Sequence, residues 1–349
     1  MLRRWYTDWI SSWENELANR DTNRVVRPFE WGLDWLGLDK IGDANKPGWD
    51  PGRVLEVFAE RAVARSENFY SYAAPTDFRL EANGESQTLS FTSPIRSPHP
   101  ENNTAWAEYF PAANAQGRAV VVIPQWNSDE GGHIGLCKLL NMAGISALRL
   151  SLAYHHKRMP PELERADYHV SSNIGRTIHA MRQSVIDARC CLDWLQQRGY
   201  TRLGVQGTSL GSCVALLAAA HDRRPKAGVF NHVSMYVSDV VWTGVSCRHI
   251  RTALDGHITA EQLRKCWQAI SPAPYLDRLK GHPMQSLLIW ASHDTTFLPQ
   301  FSKQVIEGFR TRGLPHEVAH LPCGHYTSGK MPFALLDGYY MVRYLREKL

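Results

Sequence analysis

The sequence predicts an α/β protein built on a mostly parallel sheet flanked by helices, and three observations carry that prediction. RAVVVIP at 118–124 is a nearly continuous β-branched run, the texture of a strand buried on both faces. From there to the C-terminal region, short apolar runs alternate with helical periodicities. Between two of them, the apolar run RLGVQ at 202–206 passes through Gly207-Thr208-Ser209-Leu210-Gly211 straight into an alanine-rich segment.

The elements follow in order. Residues 1–75 read as a helical, Trp-rich N-terminal extension. Trp5, Trp9 and Trp13 are spaced four apart, and Trp31 and Trp35 repeat the spacing, which places such rings on one helix face. Packing against the core, a lid over a substrate pocket and an interface in a homodimer all stay open for these rings. From Asp77 the texture changes to FRLEA, TLSFTS and TAWAEYF, separated by the turn-rich NGES and SPHPENN, an antiparallel start. RAVVVIP then opens the parallel part. A helix over 135–143 and the run ISALRLSL from Ile145 complete strand, helix and strand within about 35 residues. Ile178, Met181, Val185, Ala188, Leu192 and Leu195 recur at steps of three and four, so one helix stripe faces the sheet, and Gly199 ends it. RLGVQ, AGVFNHVS from Ala227, SLLIWAS from Ser286 and the weaker HEVAHLP supply the remaining strands. About 45 residues at 237–282, rich in Trp, His and Arg, form a small cap insertion in the α/β domain, which spans 76–349.

Composition excludes several classes. Of 349 residues, 44% are apolar and 21% charged, ordinary for a globular chain with a large core. A net charge of +5 with scattered Lys and Arg gives no support for nucleic-acid binding. The start MLRRWYTDWISSWENEL lacks the apolar stretch of a signal peptide, and no window reaches the roughly 20 apolar residues of a membrane span. Seven cysteines, odd in number and without CxxC spacing, fit neither a disulfide framework nor a zinc ribbon. A soluble cytoplasmic protein is expected, with Cys190 and Cys191 as small buried residues.

The chemistry concentrates at Ser209. A serine at the tip of a tight strand-to-helix turn occupies a strained backbone conformation, so the positions two away must be small, and Gly207 and Gly211 supply the room. The helix that follows aims its positive end at the site, and the Leu210 amide becomes one oxyanion donor.

With this elbow, the chain resembles the α/β-hydrolase superfamily of esterase- and lipase-like serine hydrolases over 77–349. The family's order is nucleophile, acid, histidine. The resemblance makes Asp294, in His293-Asp294-Thr295-Thr296 after SLLIWAS, the acid. It makes His325, in Pro322-Cys323-Gly324-His325 after the last strand, the general base. Asp239 is a rival acid, because some members carry it after the strand that here reads AGVFNHVS; Asp187 lies inside a helix and is read as structural. Among fifteen histidines, His293, His155 and His156 are the nearest rivals to His325. Where the family often has His-Gly, this chain has Pro124-Gln125-Trp126-Asn127, which makes the Trp126 amide the second oxyanion donor, with Gln125 or Asn127 as substitutes.

Tyr154-His155-His156-Lys157-Arg158-Met159-Pro160 follows a strand at its carboxyl end, where ligands gather in open sheets. It is distantly similar to a lipid-directed hydrolase group in its aromatic, Arg and Pro residues. Gln125, Asn127, Tyr154 and Arg158 are therefore the candidate substrate-binding residues, with Lys157 and Arg158 able to attract a carboxylate or phosphate or simply to form a solvated loop. Asp129-Glu130-Gly131-Gly132-His133 has no second ligand group at metal spacing, and no metal or cofactor is expected.

The expected activity is hydrolysis of a small-molecule ester or lipid-like substrate through an acyl-enzyme on Ser209. A thioesterase, acyltransferase or lipid deacylase would use the same residues, and a non-catalytic binding scaffold would gain nothing from keeping all three.

Overall fold

The computed structural model describes residues 2–40, 48–83 and 86–349. The predicted turn at Gly84 and Glu85 lies outside these, as does the 41–47 part of the N-terminal segment.

Nine strands form one sheet: β1 Arg79–Asn83, β2 Ser86–Thr92, β3 Thr104–Phe110, β4 Arg118–Ile123, β5 Ser146–Ser151, β6 Arg202–Thr208, β7 Pro225–Asn231, β8 Gln285–Ala291 and β9 His316–Leu321. Their order is β1-β2-β3-β5-β4-β6-β7-β8-β9. β1, β2 and β3 pair antiparallel, and β3 pairs antiparallel with β5. All pairings from β5 to β9 are parallel. Residue texture explains the division. β3 alternates buried and half-buried side chains, whereas all six residues of β5 are buried. In β4, Val121 and Ile123 enter one apolar cluster and Val120 and Val122 the other, so successive side chains feed cores on opposite faces of the sheet.

Helices cover both faces. The described α-helices are α1 Leu2–Ala18, α2 Pro51–Ala64, α3 Ser66–Phe69, α4 Ile134–Met142, α5 Ile174–Gln197, α6 Leu210–Ala220, α7 Val237–Thr243, α8 Arg248–Leu254, α9 Ala260–Cys266, α10 Pro299–Thr311 and α11 Phe333–Lys348. The predicted stripe of α5 lies wholly in one cluster, together with Val214 and Leu217 of α6. Asn173 caps α5 by accepting from the Arg176 amide, and Gly199 beyond its end takes the left-handed conformation at φ 86°. α4, α11 and Ile10 of α1 build the opposite cluster.

The N-terminal segment is only partly helical. Trp5, Trp9 and Trp13 lie along α1, with Trp5 and Trp9 stacked at 6.3 Å and Trp13 tilted against Phe333 of α11 at 6.3 Å. Trp31 and Trp35 do not share a helix. Gly32, at φ 63°, breaks the chain between them, and Trp35 lies in a short 3₁₀ turn, Leu33–Leu36. No described helix is long and apolar enough to cross a membrane. All seven cysteines are free and buried.

This topology locates a crevice. The chain goes from β4 outward to β5, then returns across β4 to β6 on its other side. Where strand order reverses in this way, the loops after the two central strands diverge and leave a cleft at the carboxyl ends. β4 and β6 pair in register from Arg118↔Arg202 to Ile123↔Gly207, so the loops that follow them start side by side.

Candidate active site

Ser209 stands at the end of β6 with φ 58° and ψ −125°, a conformation that non-glycine residues rarely adopt. Its amide donates to Asn231 O at the end of β7, 2.8 Å away, and its carbonyl accepts from Ser212 Oγ at 2.6 Å. The glycine requirement is steric and specific. A Cβ on Gly207 would collide with the Gly211 carbonyl, and a Cβ on Gly211 with the carbonyls of Ile123 and Pro124. The second collision shows how closely the elbow sits against the end of β4.

Asp294 follows β8 and is fully buried against two imidazoles. Its Oδ1 accepts from the amides of Thr296 at 2.8 Å and Phe297 at 2.7 Å, which fixes the carboxylate plane. Its Oδ2 lies 2.9 Å from His325 Nδ1 and 2.9 Å from His232 Nδ1. The Phe297 ring stacks on the His325 ring at 5.5 Å and 4°. Burial alone would raise the Asp294 carboxyl, but the charge of His325 and the contacts from both rings outweigh it and hold the group well below the usual carboxylate range. Burial likewise works against the charged form of His325, yet the Asp294 charge and hydrogen bond prevail, with Glu14 adding to them, and its pKa rises above the ordinary histidine value.

His232 was not singled out from the sequence. It directly follows β7, takes φ 55° and is 1% exposed. Its Nε2 lies 3.1 Å from Ser328 Oγ, which in turn donates to His325 O at 2.7 Å. Burial lowers its pKa despite the adjacent carboxylate, which keeps it the neutral member of the pair. The available signal was its place in NHVS at the carboxyl end of a central strand, beside the strand that delivers Asp294.

A small apolar cavity of about 30 Å³, partly open to solvent, lies at the elbow, and Ser209, Trp126, Val240, Cys247, Thr296 and Phe297 are among the residues around it. Val240 and Cys247 come from the 237–282 segment. Phe297 thus faces the Ser209 cavity and also stacks on His325. No hydrogen bond links Ser209 Oγ to His325 among the described residues, a looseness common before substrate binds. Leu210 is the first residue of α6, where amides have no partner within the helix. The Trp126 amide has no backbone acceptor among the described residues.

Other predicted residues fall elsewhere. Asn127 is tied up between loops, its amide donating to His155 Nε2 at 2.9 Å and its Oδ1 accepting from the Ala166 amide at 2.8 Å. Neither Gln125 nor Asn127 borders the cavity. The substrate-entrance reading of Tyr154 and Arg158 is corrected, since both are fully buried. Arg158 Nη2 pairs with Asp187 Oδ2 at 2.8 Å and its guanidinium donates to the carbonyls of Ser151 and Asn102. The residue types that attract an anionic ligand here answer an internal carboxylate instead. Arg158→Ala should therefore destabilise the fold by about 3–5 kcal/mol, the cost of leaving a buried charge without its partner. Denaturant unfolding measures this, and KM of the protein that remains folded should be unchanged.

Of the rivals, Asp239, His155 and His156 are engaged elsewhere, while the His293 ring meets Tyr6 edge-on at 6.1 Å. Asp239, in the first turn of α7, accepts both Nε and Nη2 of Arg264 at 2.9 and 2.7 Å. His155 bonds Ala153 O and the Asn127 amide, and His156 bridges Ser151 Oγ and Ser128 O. His133, at the start of α4, holds Thr208 Oγ1 at 3.0 Å. Among the described residues, the group of His, Cys, Asp or Glu side chains with donor atoms close enough to hold a cation is His232, Asp294 and His325, within 4.8 Å of one another. A cation there would displace the protons by which the two rings meet Asp294.

A mostly parallel sheet clothed by helices, with a serine elbow at its switch point, defines a class: the chain has the α/β-hydrolase fold. Residues 135–295 match the family model described as Alpha/beta hydrolase domain containing 18, a span that holds Ser209 and Asp294 and stops short of His325. No curated protein matches the sequence. Among solved structures, an acetyl xylan esterase from a Paenibacillus species is similar at 17% identity and a TM-score of 0.60, covering 91% of this chain and 99% of its own. Acetyl xylan esterase 1 from a Thermoanaerobacterium species gives 15% identity and 0.58 over 84% and 93%. Carboxyl esterase 2 from the fungus Tuber melanosporum gives 14% and 0.54 over 86% and 99%.

Proposed function

We propose that the protein is a serine hydrolase that cleaves carboxylic esters, with Ser209 as nucleophile, His325 as general base and Asp294 as the acid that orients it. The observation that carries this reading is the His325 Nδ1 to Asp294 Oδ2 hydrogen bond of 2.9 Å, with Thr296 and Phe297 of the Asp294 loop lining the same cavity as the elbow serine. A serine hydroxyl is a poor nucleophile until a base accepts its proton. His325 Nε2 takes that proton as Ser209 Oγ attacks the acyl carbon, and the amides of Leu210 and Trp126 receive the developing oxyanion. The same proton then passes to the leaving alcohol. Water, deprotonated by His325, releases the acid from the acyl-enzyme. No metal or cofactor enters any of these steps.

The apolar lining suits the hydrocarbon of an acyl group better than a peptide, whose amides need partners in the pocket. The structurally similar esterases are consistent with ester cleavage, while thioester and lipid deacylation would use the same groups. The division at residue 75 into extension and catalytic domain, with 237–282 as its cap, belongs to this proposal, as does a cytoplasmic location inferred from seven unpaired cysteines.

The test is a panel of nitrophenyl esters, acyl thioesters and phospholipids offered to the folded protein with and without a chelator. Chelator-insensitive hydrolysis of esters supports the proposal. Turnover abolished by the chelator, or of no acyl donor at all, contradicts it. The pH profile adds a signed prediction. His325 must be neutral to act as base, and its pKa is raised. Activity should therefore fall as the pH drops through a value above the ordinary histidine pKa of about 6.5, measured as the acid limb of kcat/KM.

A further inference from the structure

The geometry points to Glu14, on the N-terminal helix, as a positioning residue that holds the loop carrying His325. The inference rests on the proposed role of His325 and adds a partner that neither the sequence motifs nor the family match, which begins at residue 135, contains.

Glu14 is 0% exposed, on the face of α1 that also buries Ile10 and Ala18, while Trp5 is 65% and Trp9 41% exposed. Its carboxylate sits under the 323–328 loop and accepts from every side. The Tyr326 amide reaches both oxygens at 3.0 Å, and Oε2 also accepts from the amide and the Oγ1 of Thr327, each at 3.0 Å. Thr327 Oγ1 in turn accepts from the Gly324 amide at 2.7 Å. The residues on both sides of His325 are thus tied to one carboxylate. Oε1 also accepts from Thr295 Oγ1 at 3.3 Å, which links the same group to the residue after Asp294. A Cβ on Gly324 would collide with the Glu14 carboxylate, so the glycine before His325 makes room for it.

Simple docking of α1 does not account for this. Ile10 and Trp13 already supply apolar contact with the sheet and α11. Burying a carboxylate is expensive unless donors surround it. Glu14 forms no ion pair with Lys or Arg among the described residues, so its donors are those of the two loops that carry His325 and Asp294. A carboxylate can do this because it only accepts; an amide would turn an N–H toward donors that need a lone pair.

The groups facing His325 are Asp294 from the β8 loop, His232 from the β7 loop, Phe297 and Tyr326, with Glu14 from α1. Glu14 adds a second negative charge that favours the imidazolium.

The experiment compares the full-length protein with Glu14→Gln, Glu14→Asp, Thr327→Val and, as a control, Glu16→Gln, which alters an exposed residue two positions along α1. Ester kinetics across pH are read with thermal unfolding on the same samples. Glu14→Gln should lower kcat by up to about 100-fold, the scale of loss from a misplacement of about 1 Å, with little change in KM. Its acid limb should move to lower pH, because a charge that favoured the imidazolium is gone. Glu14→Asp should recover part of the loss and the limb position, Thr327→Val should lower kcat with the limb in place, and Glu16→Gln should match wild type. If Glu14→Gln does not fold, Thr327→Val decides, since it cuts two contacts to the loop and leaves the carboxylate. Full kcat in both folded variants, or in Thr327→Val where Glu14→Gln does not fold, or a Glu14→Gln loss that only tracks unfolded protein with an unmoved acid limb, would overturn the inference. A wild-type protein inert toward every ester would sink the catalytic reading itself, a different and separately visible outcome.

Discussion

Ser209→Ala is expected to lower kcat/KM for ester hydrolysis by about 10⁴- to 10⁶-fold, leaving only what binding and the oxyanion amides provide. Stability should hardly change, because alanine meets the same strain at φ 58° that serine does. Ser209→Gly should be as inactive and yet more stable than Ser209→Ala by about 1 kcal/mol, since glycine adopts positive φ without a Cβ penalty. Progress curves with a nitrophenyl ester and parallel denaturant unfolding separate the two effects. A serine placed at a turn for purely structural reasons would give the stability difference without the catalytic loss.

Asp294→Asn is expected to reduce kcat by about 10⁴-fold, the effect of leaving an imidazole in the wrong tautomer. Here two rings compete for the position. An asparagine whose Oδ1 still accepts the amides of Thr296 and Phe297 would present Nδ2 to the Nδ1 atoms of His325 and His232, and each ring would have to turn or shift its proton. Asp239→Asn is the matched control. Its carboxylate is held by Arg264, whose side chain is half exposed, so activity should stay within about threefold and stability within about 1 kcal/mol. Steady-state kinetics on both variants checks the contrast, and a larger loss at Asp239 would reassign the acid.

Much of the fold was legible because the strands differ in texture. The nearly continuous apolar character of RAVVVIP and the alternation in TAWAEYF correspond to β4, buried on both faces after Arg118, and β3, half-buried at the antiparallel side. The periodic stripe of α5 and its terminating Gly199 were equally readable, since both depend on neighbours within a few residues. What local pattern could not give was partnership across the chain. Trp31 and Trp35 have helical spacing, but Gly32 between them takes a left-handed conformation and no helix forms. Lys157 and Arg158 look like a polar loop until Asp187, on a helix some thirty residues later, is brought against Arg158. His232 and Glu14 were invisible for the same reason. A lone His after a strand and a lone Glu on an amphipathic helix acquire meaning only when the sheet order sets β7 beside β8 and lays α1 under the last loop.

The most direct measurement is reaction of the native protein with a fluorophosphonate followed by peptide mass spectrometry. Attack by an activated serine displaces fluoride and leaves the phosphonyl group on its oxygen. The account predicts a single adduct on Ser209, lost in His325→Ala and in denatured protein. An adduct on another residue, or none on folded protein that cleaves esters, would contradict it.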